Sequence, residues 1–279
     1  MFDRRDLDDD IAAVRDEHAP DAAVLDVAAD FETVPPAAAE DLGLFVDALT
    51  PTSYPSDWLP GDAPDALVAY AGPDFTVGMP GDGTVVWTRQ TTPPVVLVKQ
   101  RAEGTPAEFR RFLLAEAFVQ LGTDAPEHFL PFFGEAYPDL DRAVPLGPGD
   151  VYQIAAALYE AWLGLQTRES FRAWEGDHPR LFDAWSDAGS RLEGRLSTLP
   201  RAVARGGTSF PEATEYACSA VKHGLELPAP FAALDTQAFV EYGPQYGVRW
   251  AEKTFEKLER TSEPGTAGDD PDSSDSGSE

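Results

Sequence analysis

The chain has 279 residues, 49 acidic against 21 basic, and a formal charge of −28. With 43% hydrophobic and 11% aromatic residues it carries enough apolar material for a sizeable core, which excludes wholesale disorder. The charge argues against nucleic acid or an anionic membrane surface as a partner, because both require a basic footprint. The single cysteine, Cys218, excludes an internal disulfide and a multi-cysteine zinc site.

Taken in chain order, Leu7, Ile11 and Val14 predict a helix over 6–18, with Asp6, Asp8, Asp9 and Asp10 at its positive end. Those acids stand where a signal peptide would need an apolar stretch. The chain has no run of about 18 apolar residues, so a soluble, cytoplasmic protein is expected. Val24, Val27, Ala28 and Phe31 predict a short helix over 21–32, and Leu42, Phe45, Val46 and Leu49 a third over 37–49. The prolines at 51, 55, 60 and 64 make 50–65 a connector, whose Tyr54, Trp58 and Leu59 should pack on the body.

Segments 66–71, 75–79, 84–89 and 95–100 are rich in Val, Thr and aromatics and are separated by Gly, Pro and Asp turns, including one at 80–83. They predict a four-stranded antiparallel meander. Val95-Val96-Leu97-Val98 lacks alternation, as expected of a strand covered on both faces.

From Thr105 onward the pattern is helical. Thr105-Pro106-Ala107-Glu108 predicts a capping-box start for a helix that ends at Gly122. Further helices are expected over 126–137, 150–166, 178–199 and from the capping box Ser209-Phe210-Pro211-Glu212 to about 224. The last helical stretch, 235–242 and 244–260, breaks at Gly243-Pro244. Residues 261–279 hold six acids, no base and no aromatic, and read as a disordered tail. Setting them aside leaves 43 acids against 21 bases, so the rest of the chain is acidic in its own right. The expected class is α+β. N-terminal helices occupy 1–49, the proline-rich connector 50–65, the meander with a C-terminal helical bundle 66–260, and the tail 261–279.

No catalytic, cofactor-binding or metal-binding motif stands out. H-E-x-x-H, G-x-S-x-G, G-x-G-x-x-G and the P-loop pattern are absent, and Asp270, Asp272 and Asp275 lack the spacing of an EF-hand loop. Glu175-Gly176-Asp177-His178 matches half of a di-iron helix motif. It has no second copy, and Pro179 follows at once, so it reads as a helix start capped by Asp177. Glu116 lies among Phe112, Leu113 and Ala117, and Glu160 on a face of small residues. Facing a packed interior, either carboxyl has a raised pKa and serves as an acid or base. At the edge of its stripe, it is solvated or pairs with an arginine such as Arg111. Cys218, between Ala217 and Ala220, reads as a small buried hydrophobe.

Two runs oppose the global charge: 89–111, with Arg89, Lys99, Arg101, Arg110 and Arg111, and 191–205, with Arg191, Arg195, Arg201 and Arg205. The second leads into Gly206-Gly207-Thr208-Ser209 and a helix N-terminus. That place suits an anion held by Arg201 or Arg205, unless Ser209 and Glu212 already satisfy the helix end. Phe129, Phe132, Phe133, Tyr137, Trp162, Trp174 and Trp185 form either a helical core or a groove for a partner or an apolar ligand.

Only four bases are lysines (Lys99, Lys222, Lys253 and Lys257), asparagine is absent, and isoleucine occurs only at Ile11 and Ile154. This character, carried by segments such as Pro73–Lys99 and Gln245–Lys257, resembles haloarchaeal protein families of unknown function. The resemblance implies a habitat, and neither an activity nor a site residue. The expected role is a non-enzymatic protein-interaction module with a protein partner and no cofactor. The alternative is a phosphate- or anion-binding protein or enzyme using the Arg201–Ser209 loop. Self-repulsion at −28 is largely screened at 1 M salt, where the Debye length is about 3 Å, against about 10 Å at 0.1 M. The melting temperature is therefore expected to be higher in 3 M than in 0.1 M KCl; equal values by circular dichroism would contradict adaptation to salt.

Overall fold

The computed structural model describes residues 2–79 and 83–262, with side chains as far as Leu258. The predicted turn at 80–83 lies largely outside these residues, and the predicted tail almost entirely so. Strand β1 (Phe2–Arg4) precedes helix α1 (Asp9–His18), whose N-cap Asp8 accepts from the Ile11 amide at 3.2 Å. The segment expected to be a second helix is instead strand β2 (Ala23–Val27). Helix α2 (Pro36–Leu42) is shorter than expected and is followed by the two-residue strand β3 (Ala48–Leu49). In the connector, Tyr54, Trp58 and Leu59 pack against the helical core as expected. Residues 66–71 lie not in a strand but in helix α3 (Asp65–Ala71), where Leu67, Tyr70 and Ala71 are buried at helical spacing. Residues 75–79 form no ladder beyond a bridge between Thr33 and Thr76.

Strands β4 (Val85–Thr88), β5 (Thr91–Thr92) and β6 (Val95–Lys99) follow. The main sheet has the order β1-β2-β6-β4. Its β2–β6 pair is parallel and its other pairs antiparallel, so the sheet is mixed rather than a meander. A parallel pair needs a crossover connection, and residues 28–94 supply it. The β6 side chains alternate between two cores. Val95 and Leu97 join Leu25, Ala38 and Leu42 on the α2 side, whereas Val96 and Val98 join Ile11 and Phe118 on the other. Both faces are covered, which explains the missing alternation.

Helix α4 (Ala107–Leu121) starts without the capping box expected at Thr105. Glu108 is turned outward to Arg180, 2.6 Å away, and to Arg111, 3.7 Å away. The single helix expected over 126–137 is α5 (Phe129–Phe133), a turn at Gly134 with φ +51°, and α6 (Tyr137–Ala143). Helix α7 (Pro148–Asp177) has 30 residues. Its first half buries Val151, Ile154, Leu158 and Leu163 in the helical bundle, and its last turns bury Phe171 and Trp174 beside the sheet. Helix α8 (Pro179–Leu196) has His178 at its N-cap position with no side-chain cap hydrogen bond, and Asp177, the expected cap, is the last residue of α7. Helices α9 (Leu199–Ala204), α10 (Phe210–Lys222) and α11 (Gln237–Ser262) complete the bundle. The capping box of α10 and the break of α11 at Gly243 stand where the sequence places them.

Candidate functional site

Lys222, the last residue of α10, directs its ammonium between α4 and α7. It pairs closely with Glu116 Oε1 of α4, and Glu160 Oε2 of α7 lies 3.8 Å from the same Nζ. Glu116 is only 5% exposed. The two carboxylates singled out from sequence thus meet on one lysine, while Arg111, their expected partner, pairs with Asp8 and Asp10 of the α1 N-terminus. The lysine leaves α10 at the closest approach of α10 to α7: a Cβ at Gly164 would stand 2.9 Å from Lys222 Cα. A cavity of about 370 Å³ lies to one side, lined by Trp87, Phe109, Glu116, Tyr159, Glu160 and Lys222. A second, of about 320 Å³, shares Glu160 and Lys222 and adds Glu215 and Cys218. Burial, followed by the charges of Glu160 and Glu215, pushes the Cys218 thiol upward, which favours its protonated form. The ion group ties three helices together.

A second polar cluster lies where β4 meets α5. The Glu127 carboxylate accepts from Thr88 Oγ1 at 2.9 Å, the Arg89 amide at 2.5 Å and Gln90 Nε2 at 3.4 Å. Burial raises its pKa and these hydrogen bonds oppose the rise. Burial lowers His128 to about 3, and its Nδ1 accepts from the Leu130 amide at 3.3 Å. A neutral imidazole here caps α5.

The basic runs do not converge. Arg89 donates to the Leu121 and Ala125 carbonyls at 2.8 Å, closing the α4 C-terminus. Arg101 faces Asp30 at 3.6 Å, and Arg191 pairs with Asp187. Arg201 and Arg205 are exposed. At the α10 N-terminus beyond them, Pro211 has no N–H and the Glu212 amide bonds Ser209 Oγ at 3.2 Å. The box itself therefore occupies the place suggested for an anion. Of the aromatic set, Phe129, Phe132, Phe133, Tyr137, Trp174 and Trp185 are buried in the cores. Trp162 is partly buried against the first of these cores. Among the described residues, no group of three or more His, Cys, Asp or Glu is placed to hold a metal.

The site that sequence reading missed lies along α11, on both sides of its break at Gly243. A cleft of about 650 Å³ runs beside it, floored by Pro230, Ala233 and Ala238 and lined by Tyr242, Tyr246, Trp250, Arg249, Lys253 and Lys257. The Tyr246 hydroxyl donates to the Ala233 carbonyl at 2.7 Å, and the Trp250 indole N–H to the Pro230 carbonyl at 3.3 Å. Phe239 stacks on Tyr246 and Phe210 on Trp250, so two of the three rings are fixed in advance. Tyr242 is 57% exposed. Among the described residues, no acid lines the cleft.

Residues 1–258 match the model of a family described as a family of unknown function, DUF7089. The chain belongs to that family. No curated protein and no solved structure matches it at a significant level.

The cleft had a legible signal. Arg249, Lys253 and Lys257 repeat every four residues, as do Tyr246 and Trp250, which puts each set on one stripe of the helix that follows the break at Gly243; Tyr242 joins them from the near side of that break. Counted linearly, Glu252 and Glu256 conceal it. For the Lys222 group, Lys222→Met leaves a buried carboxylate without its cation and is expected to cost about 3–5 kcal/mol in urea unfolding at constant KCl, with much of the loss restored in Glu116→Leu/Lys222→Met. A loss under about 1 kcal/mol in the single variant would contradict the clamp.

Proposed function

We propose that this is a salt-adapted cytoplasmic binding protein, a protein-interaction module whose α11 cleft takes a partner bearing anionic and apolar groups side by side. One observation carries the reading: in a chain of charge −28, this cleft is lined, among the described residues, by three cations, three rings and no acid. Two of the four lysines in the chain are among them. Aromatics beside arginine are the composition of binding hot spots; of these rings Tyr242 is exposed, whereas Tyr246 and the buried Trp250 are already fixed by hydrogen bonds and lose little freedom on binding. The rings also matter for a protein working in molar salt. Charge attraction between exposed groups is screened there, whereas ring burial is not.

The alternative, an anion held by the Arg201–Ser209 loop, has less support, because the capping box already uses that helix end. The Lys222 group supports a structural role more than acid–base work, since Glu116 has its cation in place. The cleft reading is tested with 8-anilinonaphthalene-1-sulfonate, an anion fused to an aromatic body, titrated in 2 M KCl. Binding at one site is expected, weakened at least tenfold in Arg249→Glu/Lys253→Glu with the melting temperature unchanged. Equal binding by the variant would overturn the reading.

A further inference from the structure

The cleft is asymmetric along its length. Its Ala233, Ala238 and Tyr242 end is apolar, and charge enters at Arg249 and continues through Lys253 to Lys257. Helical rise sets these three about 6 Å apart, a row of roughly 12 Å. Side chains on one side of an extended chain recur every two residues, at about 6.6–6.8 Å. Three cations strung along a helix therefore match a linear ligand with acids at alternate positions better than one compact anion. The exposed ring of Tyr242, beyond the cations, asks for an apolar group next to those acids.

We propose that the occupant is a linear segment of a partner protein, laid along α11 with an apolar anchor at the Tyr242 end and alternating acidic side chains over Arg249, Lys253 and Lys257. The inference rests on the reading of the cleft as an anion-and-ring site, and names its partner class. Residues 263–279 of this chain offer acids but no aromatic and no Leu, Ile, Val or Met, so they lack the anchor. Glu252 and Glu256 stand on the helix flank beside the cations and do not line the cleft. They exclude a partner that spreads its acids across the whole helix surface, and thereby favour a narrow strand.

The test uses the full chain in 2 M KCl and a fluorescent nonapeptide with Leu-Phe at one end followed by Asp at alternate positions. Two control peptides replace the acids by Ser or the Leu-Phe by Gly-Gly. Binding of the parent peptide is expected, at least tenfold weaker for each control and for Arg249→Glu/Lys253→Glu, and about fivefold weaker for Tyr242→Ala. Tyr242 is exposed, so that variant should keep the parent melting temperature. Controls that bind as well as the parent overturn the inference. If 4-nitrophenyl phosphate binds and is lost in the charge-reversed variant while the peptide does not bind, the cleft is a small-molecule site; the broader reading survives and the peptide partner falls. If neither that phosphate, the peptide nor the anilinonaphthalene sulfonate binds, both fall. A chain ending at Ser262 that binds the peptide at least tenfold more tightly would identify residues 263–279 as the occupant instead.

Discussion

Helix α7 runs from the core of the helical bundle to the core beside the sheet, and at its midpoint it can approach α10 only because residue 164 has no side chain. Gly164 brings the backbone of Lys222 so near that a methyl group there would collide with it. The lysine side chain then leaves toward the sheet, where Glu116 of α4 and Glu160 of α7 receive it. The ion group is thus a consequence of close packing, and it fastens the helix that covers the sheet to the bundle. A buried ion pair contributes little net stability, yet losing one partner is expensive. Its effect is to penalise other ways of docking α4 on α7 and α10.

Within that frame the bundle leaves one side of α11 incompletely covered. Phe210, Phe231 and Phe239 pack behind Trp250 and Tyr246, and the turn Phe231–Leu234 with Pro230 supplies a low wall. The front of those rings and the cations beside them form the cleft. The rest of the surface follows the acid excess of the chain, and most of its arginines are used at home: on Asp8 and Asp10, on Asp26, on Asp187, on Asp235 or on backbone carbonyls. In molar salt the long-range field of the acid excess is screened, which leaves recognition at the cleft to direct contact.

The parts legible in the sequence were those set by local chemistry. Ser209 and Glu212 announce the start of α10, Gly243-Pro244 its successor's break, and the run Val95–Val98 a strand buried on both faces. The errors came where distant pairing decided. Val24 and Val27 suit a helix or a strand, and parallel registry with Val96 and Lys99 makes them a strand. Helix α7 looked shorter than it is because its apolar stripe changes partner between Leu163 and Phe171 and so shifts around the helix. For Glu116 and Glu160 the sequence leaves an inward face and a solvated edge both open; Glu116 is buried whereas the Glu160 side chain is 39% exposed, and nothing near either in sequence names Lys222. The cleft escaped notice because charge along 249–257 nearly cancels when read linearly, and only helical geometry separates the cations from Glu252 and Glu256.

The most direct test of the central claim is hydrogen exchange of the full chain in 2 M KCl, with and without the anchored acidic peptide at saturation. Slowed exchange confined to residues 228–257 is the predicted result. Protection centred instead on 84–87 and 105–120, around the Lys222 cavities, or on 201–212, would contradict it.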